Sequence, residues 1–379
     1  MDSPRVAFCF HHQAPSGATL WLRDFLLTGG WPAECSIAVF PCASPLEAPL
    51  LQGGIECRRV GLATVGISDV PLWKAPGLLL NRFGSLGRYG AALRGAEVVY
   101  ANSSVQIAPM LAAARLGLPL LVHVREGWHQ GHTHGLKRFC VRRFAHAAAF
   151  DSSTGVELFA PSPARAVWEV SPNGVDPSLS ALRADRGATR SRLGWRPDER
   201  VLLFLGTVCA RKGIPDLMSV WPGLRADHPG LRLVVVGPEE ASDPDPEVRA
   251  FLRERPAGVE YLGRRTDAHE LIAAADLLVL PSYGEAMPIS ISEAMMIGTP
   301  VCARAVGDVA WQIGGGRGFL FEGGGPAPLA EALRAALASS EEASRRASAA
   351  QVFAGEHLRR ETQQAQIRRL IAEAQARRR

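Results

Sequence analysis

The stretch PSYGEAMPISISEAM, residues 281–295, sets Glu285 and Glu293 eight positions apart among small, apolar and hydroxylic neighbours. Two carboxylates can share acid and base work, but a glycosidase pair must face each other at about 5 Å or at roughly 6.5–9.5 Å. Here the apolar run DLLVL precedes the stretch, and Gly284 lies between Pro281 and Pro288, so Glu285 falls on a loop after a strand. A helix is predicted from about Ser290 to before Gly298. Within it, Ser290 and Glu293 fit the S-x-x-E capping box, which gives Glu293 a purely structural alternative. The spacing thus points to two acids with two separate jobs rather than to a facing pair. The plain alternative for Glu285 is an exposed loop acid.

A second group with chemical potential is GTVCARKG, residues 206–213, after the apolar run VLLFL. It carries Arg211 and Lys212, and Pro215 suits the first turn of a following helix. The only lysines are Lys74, Lys137 and Lys212. A lysine beside the free N–H groups of a helix start suits a diphosphate. A solvated basic loop is the alternative. A third loop, HHQAPSGAT (11–19), has Gly17 where backbone could approach a phosphate, although an ordinary strand-to-helix turn needs the same residue. No GxGxxG follows that strand, which argues against a nicotinamide enzyme.

These loops need strands to present them. Apolar runs at 5–10, 35–40, 97–101, 119–124 and 147–150 read as buried strands. Helical patterns lie between them, at 17–28, near 104–116, 135–146 and 153–159. The pattern restarts with strands at 201–206, 231–237, 259–263, 276–282 and 299–303. Alternation of this kind predicts parallel sheets covered on both faces. The Pro-, Gly-, Ser- and charge-rich segment 171–200 reads as the break between the halves, with a hinge near 173–200, and 356–379 as a long helix with a basic end. The expected architecture is α/β, with two Rossmann-like doubly wound domains facing across a cleft: an acceptor-side domain over 1–175, a nucleotide-sugar-binding domain over 176–355, and a helix over 356–379 returning to the first.

The chain of 379 residues is 47% hydrophobic and 21% charged, with a net charge of +5. That is ample for a packed core and suits an anionic small molecule or membrane surface. No basic-aromatic stripe or zinc spacing supports nucleic acid. The seven cysteines are scattered without a CxxC, as in a reduced cytosolic compartment. MDSPR runs straight into an apolar strand, and no window approaches about 18 uninterrupted apolar residues.

FLGTVCARKG, VVVGP and YLGRRTDAHELIAAADLLVLPSYGEAMPISISEAMMIGTPV together resemble the donor-binding half of family 4 glycosyltransferases of GT-B fold, including the E-x7-E spacing of Glu285 and Glu293. PSGAT, VVYANSS, GLPLLVHVRE and VSPNGVD carry the likeness into the first half. The resemblance implies a retaining, metal-independent transfer of a sugar from a nucleotide diphosphate sugar to a hydroxyl acceptor, with no cofactor. It implies that Lys212 and Arg211 neutralise the diphosphate together with the backbone at Met287, Pro288, Ile289 and Ser290. Glu285 would contact the sugar, Glu293 the ribose, and Gly17 and Thr207 would line the donor. The division is physically sensible, because carboxylates should face hydroxyls while cations and helix N-termini face phosphate.

The chain departs from the family pattern twice. Thr207 stands where an arginine is common, with Arg211 nearby in the same loop. Arg125 and Glu126 stand six and seven residues past Pro119, where a His-Asp pair is common, and His123 comes two residues early. His123, Arg125 and Glu126 are therefore the acceptor-side candidates. HQGHTH (129–134) offers three histidines that could hold a metal or form a mobile lip, and LKRFCVRRFAH (136–146) a basic helix that could meet anionic lipid or a solvated surface. The block 70–95 could be a membrane- or acceptor-facing loop or irregular core. Peripheral contact at the inner membrane face thus stays open. So do two other functions: another GT-B reaction (epimerase or phosphorylase), and a degenerate nucleotide-sugar-binding subunit.

Overall fold

The computed structural model describes residues 3–11, 15–61, 85–127, 134–160, 166–239 and 245–377. Residues 70–84 of the irregular block and 129–133 of the histidine run lie outside the described residues. The chain divides into two compact units, residues 1–172 with 363–379, and residues 173–362.

The first unit is built on seven parallel strands: β1 (Val6–Cys9), β2 (Ser36–Phe40), β3 (Glu56–Arg59), β4 (Val98–Ala101), β5 (Leu120–Val124), β6 (Ala147–Phe150) and β7 (Val167–Val170). Their order is β3-β2-β1-β4-β5-β6-β7. Strands β1, β2, β4, β5 and β6 are buried at every residue, as a sheet covered on both faces requires. On one face Phe8 and Tyr100 pack with Phe25 of the helix Gly17–Leu27 and with Ile367, Leu370 and Ile371 of the helix Arg360–Ala376. On the other, Val99 and Val122 meet Met110, Cys140 and Val141. Each such fully buried aliphatic side chain contributes about 1.5–3 kcal/mol.

The second unit repeats the plan with six parallel strands: β8 (Arg200–Leu205), β9 (Leu231–Val236), β10 (Val259–Gly263), β11 (Leu277–Leu280), β12 (Val301–Arg304) and β13 (Phe319–Phe321). Their order is β10-β9-β8-β11-β12-β13. Both sheets are doubly wound, as the alternation predicts. The winding reverses between β1 and β4 and between β8 and β11, and ligands of such sheets bind outside the carboxyl ends at that point.

The segment 171–200 departs from the expected hinge. It folds onto the second unit as a 3-10 helix (Pro177–Asp185) and a helix (Arg186–Arg192). Arg183 donates to Ala273 O, Ala275 O and Thr299 Oγ1, each at 3.0 Å. Arg190, 5% exposed, donates to Ala274 O at 3.0 Å and pairs with Asp276 Oδ2 at 3.1 Å. The arginines that made the segment look like a solvated connector are what fasten it.

Candidate functional site

Beyond β8 the chain passes Gly206 and the half-buried Thr207, enters a 3-10 turn over Ala210–Lys212, and starts the helix Ile214–Asp227 with Pro215 in its first turn. Gly213 between them has φ +74°, and a Cβ there would lie 2.1 Å from Pro281 O. Only glycine allows so close an approach to the end of β11. The two loops are then joined directly. Tyr283 N donates to Arg211 O at 2.8 Å, and the Arg211 guanidinium donates to Gly284 O at 2.9 Å. Lys212 Nζ reaches Glu285 Oε1 at 2.5 Å. Arg211, Lys212 and Glu285 are thus brought together at the switch point of one sheet, although 73 residues separate Lys212 from Glu285.

The remainder of the loop is clamped. Gly307, at φ +54°, lies so near that a Cβ would meet Glu285 O at 2.3 Å and Ala286 O at 2.5 Å. Asp308 N donates to Ala286 O at 2.8 Å, Asn173 Nδ2 to Met287 O at 3.1 Å, and Gln312 Nε2 to Pro288 O at 3.2 Å. The following helix runs Ile289–Ile297 with Pro288 as N-cap, and no side chain caps it. This corrects the capping-box expectation, because the helix starts before Ser290, which therefore lies inside the first turn. Pro288 carries no N–H, so the donors at this end are those of Met287, Ile289 and Ser290. An uncapped helix start favours an anion. Glu293 instead bonds His269 Nε2 at 2.9 Å from Oε1. The S-x-x-T at Ser16 is the capping box that forms: Ser16 Oγ accepts from Thr19 N at 3.4 Å and Thr19 Oγ1 from Ser16 N at 2.8 Å, with Gly17 as the exposed first helical residue.

Behind the loop lies a scaffold that the sequence reading missed. Arg304, 3% exposed, pairs with Asp216 Oδ2 at 2.6 Å, donates to Pro281 O at 3.1 Å and also bonds Gly323 O. Its guanidinium stacks 4.2 Å from the Tyr283 ring centre, and the Tyr283 hydroxyl donates to the same Asp216 oxygen at 2.7 Å. The one available signal was an arginine ending a buried strand.

The first unit gathers a second polar cluster at the ends of β4, β5 and β6. His123 is fully buried, with Nε2 2.6 Å from Asp151 Oδ1 and Nδ1 bonded to the Tyr100 hydroxyl. Burial, then the Arg125 charge, hold its pKa down to about 4, so the ring is neutral near pH 7. A neutral ring that donates from Nε2 to Asp151 accepts at Nδ1 from Tyr100. Arg125 bonds Asn102 Oδ1 at 2.9 Å and Asp151 Oδ2 at 3.1 Å, and lies 4.1 Å over the Trp21 ring. Glu126 accepts from Ser103 Oγ and from the Ser104 and Arg125 N–H groups at 3.2 and 3.1 Å. His123, Arg125 and Glu126 therefore share one buried network, and Tyr100, Asn102, Asp151 and Trp21 belong to it without a sequence signal.

Residues 199–339 match the family model described as glycosyl transferases group 1. The chain is 36% identical over 199 residues to a D-inositol 3-phosphate glycosyltransferase of Geodermatophilus obscurus, covering 49% of this chain and 43% of that protein. It is 32% identical over 230 residues to one from a Nocardioides species, covering 55% and 49%. The matched stretches span less than half the length of these relatives. In structure the chain resembles HepE from Anabaena, solved with UDP and glucose, at a TM-score of 0.82 and 22% identity over 97% of this chain and 99% of that one. Sucrose-phosphate synthase from Thermosynechococcus elongatus aligns at 0.75 and 19% over 99% and 100%. These two likenesses concern the fold.

Proposed function

For a chain that belongs to the glycosyl transferases group 1 and has the GT-B fold, we propose the retaining transfer of a sugar from a nucleoside diphosphate sugar to a hydroxyl acceptor, without a metal. The observation that carries this reading is the junction of the two loops after β8 and β11. Lys212 and Arg211, beside the uncapped start of the helix Ile289–Ile297, make one electropositive end suited to a diphosphate. Glu285 lies next to the cations, where it can accept from sugar hydroxyls. Glu293, one turn into the helix and bonded to His269, is set apart for the ribose.

In this reading the departing diphosphate gathers negative charge, and the cations and amides already aimed there stabilise it, usually the largest single catalytic contribution. Retention then needs no facing carboxylate. A thermal-shift screen with UDP-, GDP-, ADP- and TDP-sugars tests the donor, since a ligand of the folded state raises Tm by mass action. The UDP in the HepE structure and the inositol phosphate in the relatives' name make a UDP-sugar and a polyol phosphate the first pair to try. Anomeric analysis of the product tests retention. An inverted product, or no nucleotide-dependent shift at all, overturns the proposal.

The acceptor-bearing unit also presents a surface suited to an anionic membrane. Among the described residues no helix is long and apolar enough to cross one. The helix His134–Phe144 nevertheless exposes Phe139 (57%) and Leu136 (43%) beside Arg138 and Arg143. The neighbouring helix Ile107–Arg115 packs against it and ends in exposed Arg115 and Leu116. Neither helix contains an acid. Apolar side chains interleaved with arginine fit a lipid headgroup layer.

A further inference from the structure

We infer that the Lys212–Glu285 ion pair is a product-release device: the carboxylate competes with the diphosphate for the lysine, and yields it only to a diphosphate that still carries its sugar. The inference rests on the donor reading above. Its starting point is that the pair is imposed by the fold. The backbone on either side is fixed by Tyr283 N to Arg211 O at 2.8 Å and by Arg211 to Gly284 O at 2.9 Å. It is fixed further by the contact of Gly213 with Pro281 O and of Gly307 with Glu285 O. The two side chains are 16% and 8% exposed. The ammonium therefore has a carboxylate 2.5 Å away as its partner within the fold.

A diphosphate that recruits the ammonium must draw it from that partner. Among the described residues, Lys212 supplies the one side-chain hydrogen bond to the Glu285 carboxylate. Withdrawing it would leave a buried charge uncompensated, which is strongly unfavourable. A nucleoside diphosphate sugar brings hydroxyl donors that can replace the lost bond. A bare nucleoside diphosphate has only its ribose hydroxyls, which the donor reading gives to Glu293, and brings none to Glu285. The sugar-bearing form is thus favoured by the same residue that disfavours the stripped form. Once the sugar has passed to the acceptor, Glu285 is again without donors and reclaims Lys212, weakening the hold on the leaving nucleotide.

Isothermal calorimetry of the full chain, with the nucleoside diphosphate found by the screen and with its sugar ester, tests this on three proteins. The unaltered protein should prefer the sugar ester. Glu285→Gln removes the competing charge, so the bare diphosphate should bind about tenfold tighter and the preference should shrink toward unity. Lys212→Met should weaken both ligands, and adding Glu285→Gln to it should restore nothing. Glu285→Asp, which shortens the reach by one methylene, gives an intermediate tightening and serves if the amide variant does not fold. Equal or weaker diphosphate binding by the Glu285 variants would show the lysine bridging both groups at once, and would overturn the inference while leaving the donor reading intact. No binding of a UDP-, GDP-, ADP- or TDP-sugar to the unaltered protein would instead overturn the donor reading and the inference with it.

Discussion

Arg304 and Asp216 form a buried ion pair at 2.6 Å, and the same arginine holds Pro281 O at the root of the loop that carries Glu285. The side chains are only 4% and 10% exposed. Removing one partner of such a pair costs about 3–5 kcal/mol, whereas replacing both by apolar residues can be nearly neutral. Asp216→Ala should therefore lower the unfolding free energy by about that amount in urea denaturation. Arg304→Met with Asp216→Leu should recover much of it. A loss within about 0.5 kcal/mol for the single variant, the level of an ordinary surface change, would contradict the assignment.

Lys212→Ala removes the proposed counter-charge of the leaving diphosphate. Turnover should fall by about 10²–10³, the size seen when one stabilising donor is lost at a developing anion. The far-ultraviolet circular dichroism should stay unchanged. Full turnover in the variant would refute the site.

His123 links the first unit's stability to pH. Its pKa is lowered from 6.5 to about 4 in the folded protein, chiefly by burial. Between those values the unfolded chain binds the extra proton, so this contribution is complete above about pH 6.5 and is lost as pH falls toward 4. From pH 7 to 5 the loss should be about 2 kcal/mol. His123→Gln should be less stable at pH 7 yet show a flatter pH slope, read from denaturation curves at both pH values. An unchanged slope would mean that the ring titrates normally.

Gly307→Ala should distort the Glu285 loop. A methyl group would enter within 2.3 Å of Glu285 O, at a φ of +54° that other residues rarely adopt. Strain of about 1–3 kcal/mol is expected, together with a turnover loss out of proportion to the drop in Tm. Gly87, helical and with nothing near its Cβ position, is the control: Gly87→Ala should lower neither.

Phe139→Ser combined with Arg138→Ser should reduce binding to vesicles containing anionic phosphatidylglycerol, measured by sedimentation, while leaving nucleotide binding in solution unaltered. Each basic residue near such a surface contributes about 1 kcal/mol, so the double change should weaken partition at least fivefold. Equal partition by both proteins would remove the membrane from consideration.

The strands named from the sequence follow mainly apolar runs; of the three left out, two lack such a run, and Phe319–Phe321 is apolar but only three residues long. Glu56–Arg59, Val167–Val170 and Phe319–Phe321 form edges of their sheets. An edge strand needs no continuous apolar run, and Glu56 and Arg59 are indeed exposed. Glu285 and Lys212 were legible because each follows a strong strand, but their pairing was not, since it depends on which strands become neighbours. Arg304 and Asp151 were missed for the same reason. Each acts only through partners brought from far along the chain, Asp216 being 88 residues away and His123 28. The capping box was placed at Ser290 rather than Ser16 because the four-residue pattern cannot tell an N-cap from the second residue of a helix that starts earlier.

The first unit is closed by residues 363–379, which follow the entire second unit in the chain. Ile367, Leu370 and Ile371 fill the face formed by Phe8, Phe25 and Tyr100. During synthesis the seven-stranded sheet must therefore wait with that face uncovered while some 190 residues of the other unit are made. The order of completion is the reverse of the order of translation: the later unit can finish folding first. For the same reason, a fragment cut after residue 172 is an unsealed sheet rather than a domain, and it would need the last helix supplied separately to hold its core.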